Sequence, residues 1–490
     1  MKTTTPLALI TSAFTAGTIL AEITSPIVDT GQEHCYDGRT AIRHPDPGEP
    51  FHGQDGQYAG NPPSYRDNGD GTVSDLVTGL MWQQDPGAKQ SYQKAVTGAS
   101  RCRTGGHTDW RLPSIKELYS LILFSGTDPD PRAVDEEDLH PFIDDSAFRF
   151  QYGREKDGDR IIDSQFATRT RYVSTTMGGN KTMFGVNFAD GRIKGYPVEG
   201  RRNKKYYVFY VRGNPHYGKN KFRDNRNGTI TDTSTGLTWT RTDSGKGLNW
   251  QDALAYAKNL ELGGHSDWRL PNAKELQSIV DYSRSPDTTK SAAIDPLFDC
   301  TSFRNEGGKN DFAHYWTSTT HVRGNGAGHS AVYLAFGRSL GWMQDRRSGK
   351  FRLMDVHGAG SQRSDPKSGK ATEFPRGRGP QGDVIRIENF VRCVRSGTAK
   401  PIASGPALET GKEAGRRSPG RGENPPGRSG HFIKRLDRNG DGKVSKVEFD
   451  GPPHHFDRLD RDKDGYLSDR EAPRKPPERP DGPGAGRPRR

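Results

Sequence analysis

Apolar residues recur with helical spacing in two stretches that copy each other. Ile115, Leu118, Leu121 and Ile122 fall on one face of a helix, and Ala273, Leu276, Ile279 and Val280 repeat that face 158 positions later. Each stretch is led in by the same loop, Gly105-Gly106-His107-Thr108-Asp109-Trp110-Arg111-Leu112-Pro113 and Gly263-Gly264-His265-Ser266-Asp267-Trp268-Arg269-Leu270-Pro271. Ser114 and Asn272 then stand where an N-cap is expected, with Glu117 and Glu275 three residues on to complete a capping box. An earlier helix is predicted in each copy. In the second, Asn249 caps a face of Trp250, Ala253, Leu254, Ala257 and Leu260; in the first, Tyr92, Ala95 and Ala99 take the matching places. Self-similarity of this kind means two tandem copies of one unit.

The rest of each unit alternates short apolar and polar positions, which predicts strands. Both units open on an Asp/Asn/Gly cluster, at 67–75 and 224–232. A calcium loop is excluded there, because placing Gly71 at the sixth position puts Arg66 at the first. The clusters are predicted to be turns between two short strands. Closing strands are predicted at 172–176, 184–188 and 207–212, and again at 315–320, 331–336 and 390–395. Polar stretches at 125–170 and 283–312 read as long surface loops. The second unit also carries an insertion around 343–384 with Asp355, His357 and Asp365. Such long loops are often functional. The pattern is an α+β unit, present twice. Trp110 and Trp268 are expected to be core anchors, with Asp109/Arg111 and Asp267/Arg269 tying the loop to the strands. His107 and His265 repeat as well, but a lone loop histidine does not make a metal site.

The N-terminal segment predicts an exported chain. Residues 1–21 read as a secretory signal, with Lys2 ahead of an apolar run from Leu7 to Leu20 and cleavage expected after Ala21. No later stretch is long and apolar enough to span a bilayer. The four cysteines, Cys35, Cys102, Cys300 and Cys393, are an even number in an exported chain and suggest two disulfides. Cys35–Cys102 and Cys300–Cys393 are favoured, since each stays within one unit. The net charge is +12, and +7 of it lies in 396–430 and 472–490, which are rich in Gly, Pro and Arg. Solvated tails fit this better than a nucleic-acid groove. No Gly-x-Ser-x-Gly, His-Glu-x-x-His or phosphate loop occurs, so no catalytic residue is assigned.

The sharpest chemical signal lies at 431–471. Loop one offers Asp437, Asn439, Asp441, Lys443, Ser445 and Glu448. Loop two offers Asp460, Asp462, Asp464, Tyr466, Ser468 and Glu471. Both match the EF-hand template at positions 1, 3, 5, 6, 9 and 12, with Gly442 and Gly465 at the sharp turn. Position 7 gives a backbone carbonyl, so Lys443 and Tyr466 serve there despite their side chains. The expected cofactor is Ca²⁺. Loop one sums to a net charge of zero and loop two to −2, so loop two is expected to bind more tightly.

The DNGDGT opening, the TGL-x-W element, the G-G-x-x-DWRLP-x-x-KEL stretch and the closing Val391-Arg392-Cys393-Val394-Arg395 resemble the Lcl C-terminal domain family over residues 64–213 and 221–396. The first copy departs from the pattern at Tyr210, where the family has Cys. The resemblance implies a fold similar to C-type lectins and the formylglycine-generating-enzyme group, an exported protein, and, as for the family's adhesin, binding of polysaccharide. The expected organisation is a signal peptide at 1–21, two lectin-like α+β units at 22–213 and 214–397, a linker at 398–430, a small all-α EF-hand pair at 431–472 and a basic tail at 473–490. The expected function is calcium binding joined to recognition or adhesion, with polysaccharide or a surface protein as partner and no nucleic acid. The alternative is an exported enzyme acting on glycans or proteins through the long loops.

Overall fold

The computed structural model describes residues 23–130, 139–199, 204–324, 326–345, 348–402 and 405–406, and within the C-terminal stretch 436, 442–446, 448–449, 456, 459–468 and 471. The predicted signal peptide, most of the linker and the tail lie outside the described residues. Contacts divide the chain into two compact units, 1–409 and 410–490.

The first unit holds both copies. Each opens on the predicted hairpin: Tyr65–Asp67 pairs with Thr72–Asp75, and Phe222–Asp224 with Thr229–Asp232. Helices α1 (Tyr92–Gly98) and α2 (Ile115–Tyr119) follow in the first copy, α3 (Trp250–Lys258) and α4 (Ala273–Ser278) in the second. Asn249 caps α3 through its side chain. Both capping boxes are formed: Ser114 and Asn272 accept from the amides of Glu117 and Glu275, whose carboxylates accept from the cap amides in return. The helices stop short of the predicted Ile122 and Val280. Their last turns tighten to i→i+3 bonds, such as Ile122 N to Tyr119 O at 3.1 Å and Val280 N to Gln277 O at 3.2 Å, as helix ends commonly do.

Small antiparallel sheets and few, short helices make the molecule more β-rich than the predicted pattern. The closing strands are shorter than expected, Val211–Gly213 and Val394–Ser396. Residues 207–210 and 391–393, which lead into them, are buried. Trp110 and Trp268 are buried as anchors, with each Nε1 donating to a loop carbonyl (Thr104 and Leu262). The charges beside them divide their work. Asp109 and Asp267 bind Arg212 and Arg395 of the closing strands, each at 2.6 Å. Arg111 and Arg269 mainly grip the capping glutamates Glu117 and Glu275.

The sequence does not announce the seam between the copies. A seven-stranded antiparallel sheet runs His314–His321, Ser330–Ala335, Gln362–Pro366, Arg192–Pro197, Asn180–Asn187, Gln165–Phe166, with Arg171–Thr176 also on Asn180–Asn187. It crosses from one copy to the other where Ile193 faces Gln362. The insertion therefore is no structureless loop. It folds as a hairpin, Leu340–Gln344 on Phe351–Asp355, and then supplies the seam strand. One hydrophobic cluster draws on both copies, joining Leu118, Phe166 and Phe184 to Leu276, Val332 and Phe336.

The two capping helices meet reciprocally at the seam. Lys116 Nζ donates to Ser278 O at 2.6 Å and Lys274 Nζ to Ser120 O at 2.9 Å, and each pair is the other shifted by the repeat offset. Cations suit helix C-terminal carbonyls. Burial pushes the two amines down, Lys116 to about 8 and Lys274 to about 7. The lead-in braces the second copy: Gln32 exchanges hydrogen bonds with Thr320, Thr319 Oγ1 donates to Asp55, and Tyr58–Ala59 pairs with Lys400–Pro401.

The expected disulfides are absent, and all four cysteines are free thiols. Each instead sits in its own packing site: Cys102 against the first copy's smaller core, Cys393 within the corresponding core of the second, and Cys300 under the Tyr315 hydroxyl at 3.1 Å. The copies duplicate the fold without duplicating any cysteine, so no partner faces these thiols. Burial raises Cys35 to about 12 and Cys300 to about 11.

In the second unit, Val444–Ser445 pairs with Tyr466–Leu467 over a cluster of Leu436, Val444, Phe456 and Leu467. The helices of the expected all-α pair fall largely outside the described residues.

Candidate functional site

Two places bring chemistry together. The first is loop two of the C-terminal unit. Ligand oxygens of Asp460, Asp462 and Asp464 all lie within 4.8 Å of one another. Asp460 is buried, and its Oδ1 has no hydrogen-bond partner. Gly465 adopts φ 85°, which only glycine reaches without strain, and so turns the chain between Asp464 and Tyr466. Glu471 folds back over the loop: its Oε1 accepts from the Arg461 amide at 3.0 Å, and its Oε2 accepts from Ser468 N and Oγ at 3.0 and 2.7 Å. The Ser468 hydroxyl bond, above the other causes, holds the Glu471 carboxyl down at about 2. In loop one, Ser445 N and Oγ bind Glu448 Oε2 at 2.9 and 2.6 Å, the same local arrangement. The eighth residues of the two loops, Val444 and Leu467, face each other across the short ladder. Lys443 stands at the seventh position of loop one, 3.6 Å from Asp464 Oδ2. Asp437, Asn439 and Asp441 lie outside the described residues. Hard oxygen donors in this number and order fit Ca²⁺.

The second place is a cleft of about 250 Å³ over the seam. Strand Arg192–Pro197 of the first copy brings Arg192 and Lys194. The seam strand Gln362–Pro366 brings Arg363, Ser364 and Asp365. The end of His314–His321 brings His321, and the segment after the insertion's turn brings Arg378 and Asp383. Arg192 grips Asp128 with two bonds, at 2.8 and 2.6 Å. Burial opposes the Asp128 charge, but Arg192 wins and holds it at about 2. Lys194 reaches Asp190 at 2.6 Å. Burial nonetheless lowers the Lys194 amine to about 8.

Asp383 accepts from Arg363 on one oxygen and pairs with His357 Nε2 at 2.9 Å on the other. These partners outweigh burial and keep its carboxyl well below the usual range. Asp365 Oδ2 accepts from Asn389 and from the Arg386 amide, and burial raises the carboxyl to about 6. His321 Nε2 lies 3.0 Å from the Asp190 carbonyl, which can only accept, so Nε2 carries the proton. Its bare Nδ1 accepts from Ser364 Oγ at 3.2 Å. Burial and then Arg192 push the ring to about 4.

The cleft remains partly unsatisfied. Asp190 Oδ1, Tyr196 Oη, Asp365 Oδ1 and both Nε and Nη1 of Arg363 have no hydrogen-bond partner. Of these residues the sequence singled out only Asp365, as part of the insertion. The others come from strands far apart in the chain, and nothing in local spacing marks them as neighbours. Asp355, also singled out, lies elsewhere, where it accepts from Tyr172 at 2.8 Å, and burial raises it to about 7.

Among the described residues, no helix is long and apolar enough to cross a membrane. No curated protein and no solved structure matches the chain significantly. Residues 71–212 and 228–355 match the Lcl C-terminal domain, together more than half of the chain. The matched segments hold the second strand of each opening hairpin, the capping helices and the Trp-Arg-Leu-Pro loops, so the chain belongs to the Lcl C-terminal domain family and carries that domain twice in tandem.

Proposed function

We propose that this chain is an exported calcium-binding protein whose two lectin-like copies serve recognition or adhesion at the cell surface or in the matrix. The observation that carries the calcium reading is the convergence of Asp460, Asp462 and Asp464 oxygens beneath Glu471. Asp460, Asp462, Asp464 and Glu471 would hold the ion through carboxylates, Tyr466 through its carbonyl, and Ser468 directly or through water. Loop one would do the same with Asp437, Asn439, Asp441, Lys443, Ser445 and Glu448. Bound Ca²⁺ supplies charge neutralisation that lets clustered acids sit together, which couples binding to folding of the small unit. The seam cleft, with its unsatisfied donors and acceptors, supports the recognition half of the reading.

Calorimetric titration of the full chain tests the calcium half. The affinity expected is roughly 10⁻⁵ to 10⁻³ M. Asp460→Ala should lose more than Asp437→Ala, since loop two carries the greater negative charge. No calcium heat in the wild type would remove the assignment. A glycan-array screen with and without calcium tests the recognition half.

One observation favours a second reading, an exported hydrolase. Ser364 Oγ sits 3.2 Å from the unprotonated Nδ1 of His321, in a cleft that also holds carboxylates. Arg192 lies 3.4 Å from the same nitrogen, and a ring held near 4 is a poor base at neutral pH. Labelling of Ser364 by a fluorophosphonate, lost in Ser364→Ala, would establish this reading over the first.

A further inference from the structure

We propose that the seam cleft binds a phosphomonoester of a small polyol. The inference rests on the recognition reading and names the ligand of its site. Three features point to this chemistry.

The first is charge. The cleft is lined by seven cations, Arg363 and Arg378 among them, and four carboxylates, Asp190 and Asp365 among them. Among the described residues, Lys204, Arg323 and Arg378 have no carboxylate partner. Burial, and then repulsion from Arg323, lowers the Arg378 guanidinium, against the attraction of Asp365 and Asp128. Cations in excess of the carboxylates around one cleft favour an anion between them. A phosphomonoester brings nearly two negative charges at neutral pH and three strong acceptor oxygens.

The second is the set of orphaned atoms. Arg363 Nε and Nη1 and the Tyr196 hydroxyl are donors in want of acceptors, as a phosphate provides. Asp190 Oδ1 and Asp365 Oδ1 are acceptors in want of donors. Asp190, Asp365 and Tyr196 are 1%, 1% and 6% exposed, so water in bulk does not satisfy them, and leaving such groups unpaired is costly. A bare anion answers only the donors. A neutral sugar leaves the excess cations unanswered. A ligand with both a phosphate and hydroxyls answers both sets.

The third is size. About 250 Å³ lies at or below the small end of ligand pockets, so the cleft suits one small molecule and not a length of polymer.

The test is calorimetry on the full chain in a calcium chelator, which silences the C-terminal loops. Glycerol 3-phosphate, inorganic phosphate and glycerol are titrated separately. The expected order is glycerol 3-phosphate tightest, inorganic phosphate at least tenfold weaker, and glycerol without heat. Arg378→Gln should weaken glycerol 3-phosphate at least tenfold. Asp365→Asn should narrow the gap between glycerol 3-phosphate and inorganic phosphate. Arg363→Gln should abolish binding, and because Arg363 is paired with Asp383 its thermal unfolding is recorded beside wild type; the Arg378 variant decides the matter if that protein does not fold. Equal affinity for glycerol 3-phosphate and inorganic phosphate would overturn the proposal, as would an Arg378→Gln variant that binds like wild type. Capture of glycans on an array by a chain that ignores all three compounds would also overturn it, while leaving the recognition reading intact.

Discussion

The duplicated capping box allows one substitution to be compared with its own copy. Glu275→Gln keeps the size of the side chain and an oxygen for the Asn272 amide, so the cap itself largely survives. What it removes is the charge facing Arg269. That guanidinium is gripped by Glu275 at 2.6 and 2.5 Å, with side-chain exposures of 5% and 3%. Its remaining neighbours are the Tyr58 ring at 5.2 Å and the buried Asp55, whose carboxyl burial raises to about 7 and so leaves a weak counter-charge. Breaking a buried pair of this kind costs about 3–5 kcal/mol, because the surviving charge is left without compensation. Glu117→Gln performs the same surgery in the first copy. There Arg111 has a side-chain exposure of 29%, so water can take over much of its hydration. The expected cost is about 1–2 kcal/mol, that of a charged hydrogen bond partly screened by solvent. The assay is urea unfolding of each variant followed by the fluorescence of the buried tryptophans, with the midpoint shift multiplied by the slope. Equal losses in the two copies, or a loss below about 1 kcal/mol for Glu275→Gln, would refute the argument that burial of the arginine decides the cost.

The remaining predictions concern thiols, pH and the metal. Alkylation followed by peptide mapping should recover four free thiols after denaturation and little modification of Cys35 and Cys393 in the native protein, where burial disfavours the thiolate; a bridged pair would refute this. Lys274 carries a folded-state value of about 7, below its unfolded value of about 10.4. In that window the unfolded chain binds more protons, so stability should rise with pH between about 7 and 10, with the full penalty present below 7. Lys274→Met should reduce that slope, leaving the part that Lys116 and Lys194 contribute, which pH-dependent unfolding would show. Asp55 has the opposite sign: burial raises it to about 7, so its contribution should fall as pH rises from about 4 to 7, and Asp55→Asn should flatten that fall. Adding calcium should protect the amides of 459–468 from hydrogen exchange, and Asp460→Ala should abolish the protection.

What is local or repeated was legible in the chain before any fold was known. Gly, Ser or Asn, and Glu at fixed spacing specify a capped helix whatever surrounds it, and both boxes formed as read. The hairpin turns at 67–75 and 224–232, the helix faces and the burial of Trp110 and Trp268 follow from the same short-range rules. Tertiary structure decided everything that depends on where distant segments meet. The cysteines are the clearest case, because an even count says nothing about whether Sγ atoms face one another, and here they do not. The insertion is another: its composition is that of a loop, yet the edge left open by Arg192–Pro197 recruits Gln362–Pro366 as a seam strand. The same pairing places Arg192, His321, Arg363 and Asp383 around one cleft. No periodicity in the chain records that meeting, because it arises from the packing of one copy against the other and not from the pattern within either.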